Sequence, residues 1–276
     1  MKLPMDWYNR HKRWLPAAVR YGIFLARVRG VSEAVLAYHF LQRHGRTRTM
    51  IDVGAAHGST LRVFAGDGWR VWAFEPNPAN RTVLERVTAG FPQVTVLPYA
   101  VSNERRDGAV FYASTVSAGL GSLTPFGAGH EPAFTVDVRT LGDLFPEPLA
   151  PDFLKIDTEG YDLFVLKGVP WERMRPRLIL CEYDDHKSVP LGYRMTDMAD
   201  YLARQGYKVW VSEFDPIPDY SVPPAWRGFR RYGDRPADPD STGNLFAVEA
   251  EAEPALARHL ARFERAYRRR LSSSVR

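Results

Sequence analysis

The stretch IDVGAAHGST, residues 51–60, decides the fold of this 276-residue chain, because it joins an apolar run to a turn of small residues. The run Thr49–Val53 predicts a buried strand, and Gly54 and Gly58 follow it before a helix that begins near Thr60. Small residues let the backbone approach a ligand, and the first N–H groups of the helix point to the same place. We therefore predict a cofactor-binding turn, although the same glycines would also suit a tightly packed turn.

Outward from this turn, short apolar runs alternate with helix-like segments. This alternation is typical of βαβ units that form a parallel sheet. Seven strands are predicted, at residues 49–53, 70–74, 94–99, 153–156, 178–182, 207–211 and 244–248. Residues 109–138 predict a hairpin with a mobile glycine-rich loop, and the proline-rich segment 215–240 predicts a long loop. The predicted fold class is a doubly wound, Rossmann-like α/β sheet.

The two ends of the chain differ from this central part. Apolar positions at helical spacing predict an N-terminal helical cap over residues 1–46. The α/β domain is predicted over residues 47–250, and a basic helix and tail over residues 251–276. The net charge of +5 collects at these ends. Basic ends suit a solvated helix face, an anionic membrane surface, a phosphorylated substrate, nucleic acid or pairing of two subunits, and the sequence leaves these alternatives open.

Composition bounds the cellular setting. Hydrophobic residues make up 45% of the chain and charged residues 25%, which is typical of a globular protein. The only cysteine is Cys181, so an intramolecular disulfide is excluded. No stretch has the uninterrupted apolar length of a membrane span, and the N-terminus does not resemble a secretory signal. We expect a cytoplasmic location.

Glu75, directly after the second predicted strand, is the next candidate binding residue. Ligands of doubly wound sheets bind at the carboxyl ends of the strands, where a carboxylate can accept two hydrogen bonds from a ribose diol. The spacing of Gly54 and Gly58 is G-x-x-x-G, which lacks the middle glycine of the dinucleotide fingerprint. These observations predict a nucleoside-containing cofactor and disfavour a nicotinamide dinucleotide.

Acidic residues also follow the fourth and fifth predicted strands. Asp157 and Glu159 follow the fourth strand, and Glu182 and His186 follow the fifth. Carboxylates at such positions are costly to bury unless they bind something, so they indicate a site. Lys155 is a candidate ion-pair partner for these carboxylates.

In the order and spacing of these segments, the chain resembles the FkbM family of methyltransferases. The resemblance covers residues 49–248 and rests on IDVGAAHGST, FEPNP (74–78), YAVSN (99–103), FLKIDTEGYDLFVLKG (153–168), ILCEYDD (179–185) and GNLFAV (243–248). It implies S-adenosylmethionine-dependent methylation of a hydroxyl group. It also implies a class I methyltransferase sheet of seven strands in the order 3-2-1-4-5-7-6, numbered along the chain, with strand 7 antiparallel.

The resemblance further implies which residues contact S-adenosylmethionine. These are Asp52, Gly54, Ala55, His57, Gly58, Thr60, Glu75, Pro76, Asn77, Ala100, Val101 and Asp157. The chain departs from the family at two positions. Ala56 stands where the family often has asparagine, and Asp162 stands where it often has glutamate. The first departure puts the contacts to the methionine end of the cofactor in question.

Transfer of a methyl group to a hydroxyl requires the acceptor to lose a proton, either to a base or with the help of a metal. The candidate catalytic residues are Asp157, Glu159, Glu182 and His186. His57 and His130 are alternative bases. Asp157 and Glu182, at the ends of adjacent strands, are candidate ligands for Mg²⁺, which prefers oxygen ligands. Metal-free catalysis is the alternative.

The expected acceptor is a saccharide or a glycosylated molecule, and a polyketide or other small secondary metabolite is the alternative. The segment 220–232, rich in aromatic and arginine residues, suits either stacking on sugar rings or a surface flap. Two other classes compete. A nicotinamide oxidoreductase would need the missing glycine, and a noncatalytic nucleic-acid-binding protein would not need the acids, so no specific nucleic acid is expected.

Overall fold

The computed structural model describes residues 15–28, 30–114, 121–125, 130–216, 224–235 and 237–274. The strands are β1 (Thr49–Val53), β2 (Arg70–Phe74), β3 (Val94–Leu97), β4 (Ala100–Val101), β5 (Arg106–Ser114), β6 (His130–Arg139), β7 (Phe153–Ile156), β8 (Leu178–Asp184), β9 (Tyr207–Phe214), β10 (Trp226–Arg231) and β11 (Thr242–Glu249). The α-helices are α1 (Ala17–Leu25), α2 (Glu33–His44), α3 (Arg62–Ala65), α4 (Pro78–Thr88), α5 (Leu141–Leu144), α6 (Asp162–Lys167), α7 (Asp185–Ser188), α8 (Met195–Arg204) and α9 (Glu253–Ser274). Short 3₁₀ turns occupy Val189–Leu191 and Ala250–Ala252.

The main sheet has eight strands in the order β10-β9-β11-β8-β7-β1-β2-β3. The five strands from β8 to β3 are parallel, and β11 runs antiparallel to both β8 and β9. The predicted α/β class and the antiparallel last strand are thus confirmed. The predicted sheet of seven strands in the order 3-2-1-4-5-7-6 is wrong as stated, because β10 adds an eighth strand beside β9 at one edge.

The extra strand β10 lies inside the segment that was predicted to be a loop. The sequence WRGFRR of Trp226–Arg231 contains none of the prolines that flank it on both sides. It pairs antiparallel with β9, with a register shift between Trp226 and Gly228. Prolines bound this edge strand without interrupting it, which is a position that a sheet tolerates. Residues 217–223 of the same segment lie outside the described residues.

Helices cover both faces of the sheet. On one face, α2, α3, α4 and α9 bury Phe40, Phe64 and Leu256 against β-strand residues such as Leu180. On the other face, α6 and α8 pack against the strands in a second core. Helix α8 buries Met195, Met198, Ala199 and Leu202, which is the spacing of one helical face. Because both faces are covered, the central parallel strands β1, β7 and β8 are largely buried, whereas β3 at the edge of the sheet is only partly buried.

A second sheet of three strands, in the order β4-β6-β5, projects beside the main one. Strands β5 and β6 form the predicted hairpin, with Phe111 paired opposite Phe134. The glycine-rich loop of this hairpin falls largely on residues 115–120 and 126–129, which lie outside the described residues. The part at Gly121 and Ser122 is described, and Ser122 pairs back with Tyr112 through two backbone hydrogen bonds.

The region predicted as an N-terminal helical cap contains α1 and α2, and its first 14 residues lie outside the described ones. Helix α9 packs against both helices, and we call these three helices the helical layer. Among the described residues, no helix is both long enough and apolar enough to cross a bilayer.

Candidate active site

A cleft opens at the carboxyl ends of β1, β2 and β7, where the sequence predicted a binding site. Its walls come from the turn after β1, from the segment after β2, from the turn after β7 and from the hairpin. The cleft contains about 810 Å³ of space that no atom fills, and part of this space is open to solvent. The parallel arrangement of β1, β2 and β7 brings these loops together at one edge of the sheet.

The glycine turn, residues 54–58, depends on backbone conformations that few residues adopt. Gly54 has a φ of +77°, and a Cβ at this position would lie 1.8 Å from the carbonyl oxygen of Asp157. Gly58 has a φ of +78°, and its Cβ would meet Leu84 at 2.8 Å. Ala56 also has a positive φ, +46°, which is unfavourable for alanine. Glycine is therefore required at the two outer positions, and Ala56 carries backbone strain.

Glu75 is fixed by the backbone and borders the cleft. Its Oε2 accepts a hydrogen bond from the N–H of Ala56 at 2.8 Å, and its Oε1 accepts one from the N–H of Asn77 at 2.8 Å. Each carboxylate oxygen has a second lone pair, so Glu75 can still accept hydrogen bonds from a ligand. Burial raises the pKa of Glu75, and the two backbone hydrogen bonds oppose this effect.

Lys155 joins β7 to the glycine turn beneath the cleft. Its ammonium donates to the carbonyl oxygen of Gly54 at 2.8 Å and lies 3.4 Å from Asp52 and 3.3 Å from Asp157. Burial lowers the pKa of Lys155, but the carboxylates of Asp157 and Asp52 outweigh it and leave that pKa raised. Lys155 is thus the ion-pair partner that the sequence predicted, and it holds a buried positive charge under the site.

Three carboxylates gather at the mouth of the cleft, and we call Asp157, Glu159 and Glu182 the carboxylate cluster. One oxygen from each lies within 4.8 Å of the others. The ammonium of Lys187 lies 2.6 Å from Glu159 and 3.1 Å from Glu182. Burial raises the pKa of Glu159 well above its usual range, and the nearby charge of Glu182 adds to the increase. Lys187 offsets part of this cost by its positive charge.

The backbone of the turn after β7 is held from several sides. Glu159 has a φ of +55° and Gly160 a φ of +97°. The hydroxyl of Tyr193 donates to the carbonyl oxygen of Gly160 at 2.6 Å, and the hydroxyl of Ser122 donates to that of Glu159 at 3.2 Å. Strained backbone is maintained only where its surroundings determine it, and such positions cluster at functional sites. The hairpin therefore contacts the residue that carries one of the three carboxylates.

The structure brings most of the predicted cofactor residues to the cleft. Those that line it are Gly54, Glu75, Pro76, Asn77, Ala100, Val101 and Asp157. Asp52 and Ala55 are buried and do not line the cleft. His57 is exposed, and its Nε2 lies 3.0 Å from Oδ1 of Asn80. Gly58 and Thr60 continue the turn without lining the cleft. Contacts with the cofactor stay predictions for all of these residues.

The predicted catalytic residues divide into two groups. Asp157 and Glu159 line the cleft, and Glu182 lies beside them in the carboxylate cluster. His186 is exposed on α7 and borders a separate surface depression with Arg194. The alternative base His130 begins β6 and is not among the residues that line the cleft. His186 therefore remains a prediction without a place in the cleft.

Several residues at the site were not predicted from the sequence. Phe111, Ser122 and Leu123 reach the cleft from the hairpin, and Tyr161 reaches it from the turn after β7. Lys187 reaches the carboxylate cluster from α7. Lys187 follows an acidic run, which is a weak signal because lysine beside acids is common on surfaces. Its burial, with 4% of its surface exposed, could not be inferred from the sequence.

Comparison with known proteins adds a family match. The model of the methyltransferase FkbM domain matches residues 52–209. A search of curated proteins finds no significant match.

Three solved structures illustrate the structural similarity. The precorrin-6y C5,15-methyltransferase of Geobacter metallireducens GS-15 is 16% identical with a TM-score of 0.41, over 78% of this chain and 87% of that chain. An rRNA methylase of Streptococcus thermophilus is 12% identical with a TM-score of 0.40, over 80% and 100%. TehB of Haemophilus influenzae is 8% identical with a TM-score of 0.44, over 83% and 67%. Similarity at this level carries no information about the substrate of this chain.

Proposed function

Because this chain belongs to the FkbM methyltransferase family, we propose that it transfers the methyl group of S-adenosylmethionine to a hydroxyl oxygen of a saccharide or glycosylated acceptor. The observation that carries the proposal is the meeting of Glu75 and Asp157 in one cleft. Glu75 can accept hydrogen bonds from the ribose of the cofactor, and Asp157 can accept the proton of the acceptor hydroxyl. Membership of a methyltransferase family also argues against the two alternatives, a nicotinamide oxidoreductase and a noncatalytic nucleic-acid-binding protein.

The residues of the cleft fit S-adenosylmethionine. Glu75 would accept hydrogen bonds from the ribose hydroxyls through its free lone pairs. The small residues Gly54, Ala56 and Ala100 leave the backbone accessible, and Phe74 and Val101 give the cleft an apolar part. When it is bound, the cofactor supplies an electrophilic methyl group on a sulfonium. The protein must then align the acceptor oxygen with that methyl group, and alignment is a large part of catalysis in such displacements.

Asp157 is the proposed base for the acceptor hydroxyl. Its side chain is 39% exposed, compared with 13% for Glu159 and 25% for Glu182, so it is the most accessible carboxylate of the cluster. A base must lie within hydrogen-bond reach of the proton that it removes. The ammonium of Lys155, 3.3 Å from Asp157, orients the carboxylate from below.

The polar and aromatic character of the cleft supports a saccharide acceptor. Tyr161 offers a ring for the apolar side of a sugar, Phe111 adds an apolar contact, and the hydroxyl of Ser122, which donates to the carbonyl oxygen of Glu159, can still accept a hydrogen bond. The predicted contacts from 220–232 find less support, because Trp226–Arg231 forms the edge strand β10. Docking of the basic ends on an anionic membrane, or pairing of two copies, stays a prediction from the sequence.

Methyl-labelled S-adenosylmethionine tests the proposal directly. The protein is incubated with a panel of glycans, glycosylated small molecules and unglycosylated polyketide alcohols, and the products are identified by mass spectrometry. We expect label on a sugar hydroxyl. The variant Asp157→Asn should lower kcat by about 10²–10⁴-fold, the usual contribution of a general base. The matched control Asp107→Asn changes an exposed aspartate of the hairpin and should retain activity.

Two results would contradict the proposal. Label that appears only on the polyketide alcohols would show that the acceptor is a polyketide and not a saccharide. An Asp157→Asn variant that keeps its full rate would remove Asp157 as the base. Calorimetry with S-adenosylhomocysteine accompanies both variants, because Asp157→Asn should leave cofactor affinity within a few-fold and thus separate lost chemistry from lost binding.

A further inference from the structure

A buried ammonium lies among the carboxylates that would otherwise provide a metal site. The Nζ atom of Lys187 is 2.6 Å from Oε2 of Glu159, 3.1 Å from Oε2 of Glu182 and 3.8 Å from Oδ2 of Asp184. The residue itself is 4% exposed. Burial of an ammonium is costly unless carboxylates and hydrogen bonds surround it. The contacts of Lys187 with these acids meet that requirement.

Two of these acids, together with Asp157, form a group that could hold a divalent cation. One oxygen each from Asp157, Glu159 and Glu182 lies within 4.8 Å of the others. A Mg²⁺ ion would need such oxygens at about 2.1 Å, in the space between them. The ammonium of Lys187 already contacts two of the three carboxylates. A second positive charge in the same space would meet strong repulsion from it.

The backbone holds Lys187 in this place. Helix α7 begins directly after β8, and this brings Lys187 over the end of the strand that carries Glu182. A Cβ on Gly160 would lie 3.2 Å from the Cβ of Lys187, so the turn that carries Glu159 packs against the lysine backbone. Both carboxylates and the ammonium are therefore attached to packed elements.

We propose that Lys187 is the resident cation of the carboxylate cluster and stands in the place of a divalent metal. It is a positioning residue: it holds Glu159 and Glu182 while Asp157 remains open to the cleft. This inference rests on the proposed function only in connecting the cluster with proton removal. The predicted Mg²⁺ ligation by Asp157 and Glu182 is accordingly not part of the native site.

Binding of Mn²⁺, followed by electron paramagnetic resonance, tests this without an acceptor. The variant Lys187→Met removes the charge and keeps a side chain of similar length. We expect its affinity for Mn²⁺ to exceed that of the wild-type protein at least about tenfold, a gain of about 1.4 kcal/mol. Adding Glu182→Gln to this variant should abolish the gain. The matched control Lys208→Met changes an exposed lysine of β9 and should bind Mn²⁺ as weakly as the wild type.

Circular dichroism establishes that the variants are folded before they are compared. A folded Lys187→Met variant that gains no Mn²⁺ affinity would overturn the proposal. The wild-type protein gives a second test that does not depend on a variant of Lys187. Tight Mn²⁺ binding by the wild type that Glu159→Gln removes would also overturn it, whereas weak binding that Glu159→Gln leaves unchanged supports it. Neither readout requires methyl transfer, so a failure of the proposed acceptor would be recognised separately.

Discussion

At the scale of single residues, the cleft is organised by two buried lysines and the acids around them. Lys155 lies between Asp52 and Asp157, and Lys187 lies between Glu159 and Glu182. Each lysine compensates carboxylates that burial alone would disfavour. The pairing leaves Glu75 as the cleft carboxylate held by backbone N–H groups instead of a cation.

Glu75→Gln should weaken the binding of S-adenosylhomocysteine. The amide retains the size of the side chain. Its NH₂ group, however, would face one of the two backbone N–H groups from which Glu75 now accepts a hydrogen bond, so that two donors would meet. Hydrogen bonds to charged groups contribute about 1.5–3 kcal/mol, so calorimetry should show a loss of affinity of about 10–100-fold. The control Glu85→Gln changes an exposed residue of α4 and should bind normally. Unchanged affinity in folded Glu75→Gln would refute the ribose assignment.

Ala56→Asn should stabilise the glycine turn. Ala56 has a φ of +46°, a left-handed conformation that asparagine adopts more readily than alanine. We expect the free energy of unfolding in urea to rise by about 0.5–1 kcal/mol. The same substitution at exposed Ala261, in the middle of α9, should lower it by about 0.5 kcal/mol, because asparagine is the poorer helix former. Equal effects at the two sites would show that backbone strain is not the cause.

Asp162→Asn should change how stability depends on pH. Burial raises the pKa of Asp162 to about 8, and the charges of Glu182 and Asp157 add to the increase. The folded protein therefore binds more protons here than the unfolded chain, and stability falls as pH rises from about 4 towards about 8. The variant should lose this slope, which is at most about 1.4 kcal/mol per pH unit. Urea titrations at pH 5.5 and 7.5 check it; identical slopes in both proteins would contradict it.

At the scale of elements, the sequence predicted the buried strands better than the edges. β1, β2 and β7 have the predicted bounds, because a buried parallel strand is a short apolar run between turns. β8, β9 and β11 extend beyond the predicted bounds by pairing with one another. β10 was missed because the prolines on both sides of it predicted a loop for the whole segment 215–240. Pairing depends on the neighbouring strand, which local sequence does not specify.

The site shows the same division. Gly54, Glu75 and Asp157 were predicted because each follows a buried strand at the ligand-binding edge. Phe111 and Ser122 were not, because the hairpin reaches the cleft only through tertiary packing. Lys187 could be recognised only from its burial and its distances to the acids. Residues that belong to a strand end were thus predictable, and residues brought from another element were not.

Gly121→Ala should disturb the cleft through the hairpin. A Cβ at Gly121 would lie 2.6 Å from Cε1 of Phe111, so the ring must move, and both residues line the cleft. We expect the affinity for S-adenosylhomocysteine to fall about tenfold, with overpacking costing about 1–3 kcal/mol of stability. The control Gly90→Ala has open space around its Cβ and should leave the affinity unchanged. Normal binding by Gly121→Ala would show that the ring position does not matter.

At the scale of the whole molecule, the helical layer joins the two ends of the chain and contains buried histidines. The hydroxyl of Tyr21 in α1 donates to the carbonyl oxygen of His259 in α9, and Nε2 of His259 lies 3.1 Å from the carbonyl oxygen of Leu36 in α2. His39 packs against the rings of Tyr21, Phe24 and Tyr38. The layer therefore depends on keeping its imidazoles neutral.

His39→Phe should make the protein less sensitive to acid. Burial lowers the pKa of His39 to about 4 and that of His259 to about 3, and the positive charge of Arg20 adds to the effect at His39. The unfolded chain protonates near pH 6.5, so the stabilisation is complete above that pH and is lost as pH falls towards 4. Phenylalanine keeps the ring contacts and removes the titration, which should recover up to about 1.4 kcal/mol per pH unit in this window.

The measurement is the free energy of unfolding in urea at pH 7 and pH 5 for both proteins. The difference between the two pH values should be smaller for His39→Phe, and the control His186→Gln, at an exposed histidine, should retain the wild-type difference. Carboxylates also titrate below pH 5, but they are common to all three proteins and cancel in the comparison. If His39→Phe and the wild type lose the same stability on acidification, the buried imidazole of His39 is not what makes the helical layer acid-sensitive, and His259 is the next residue to replace.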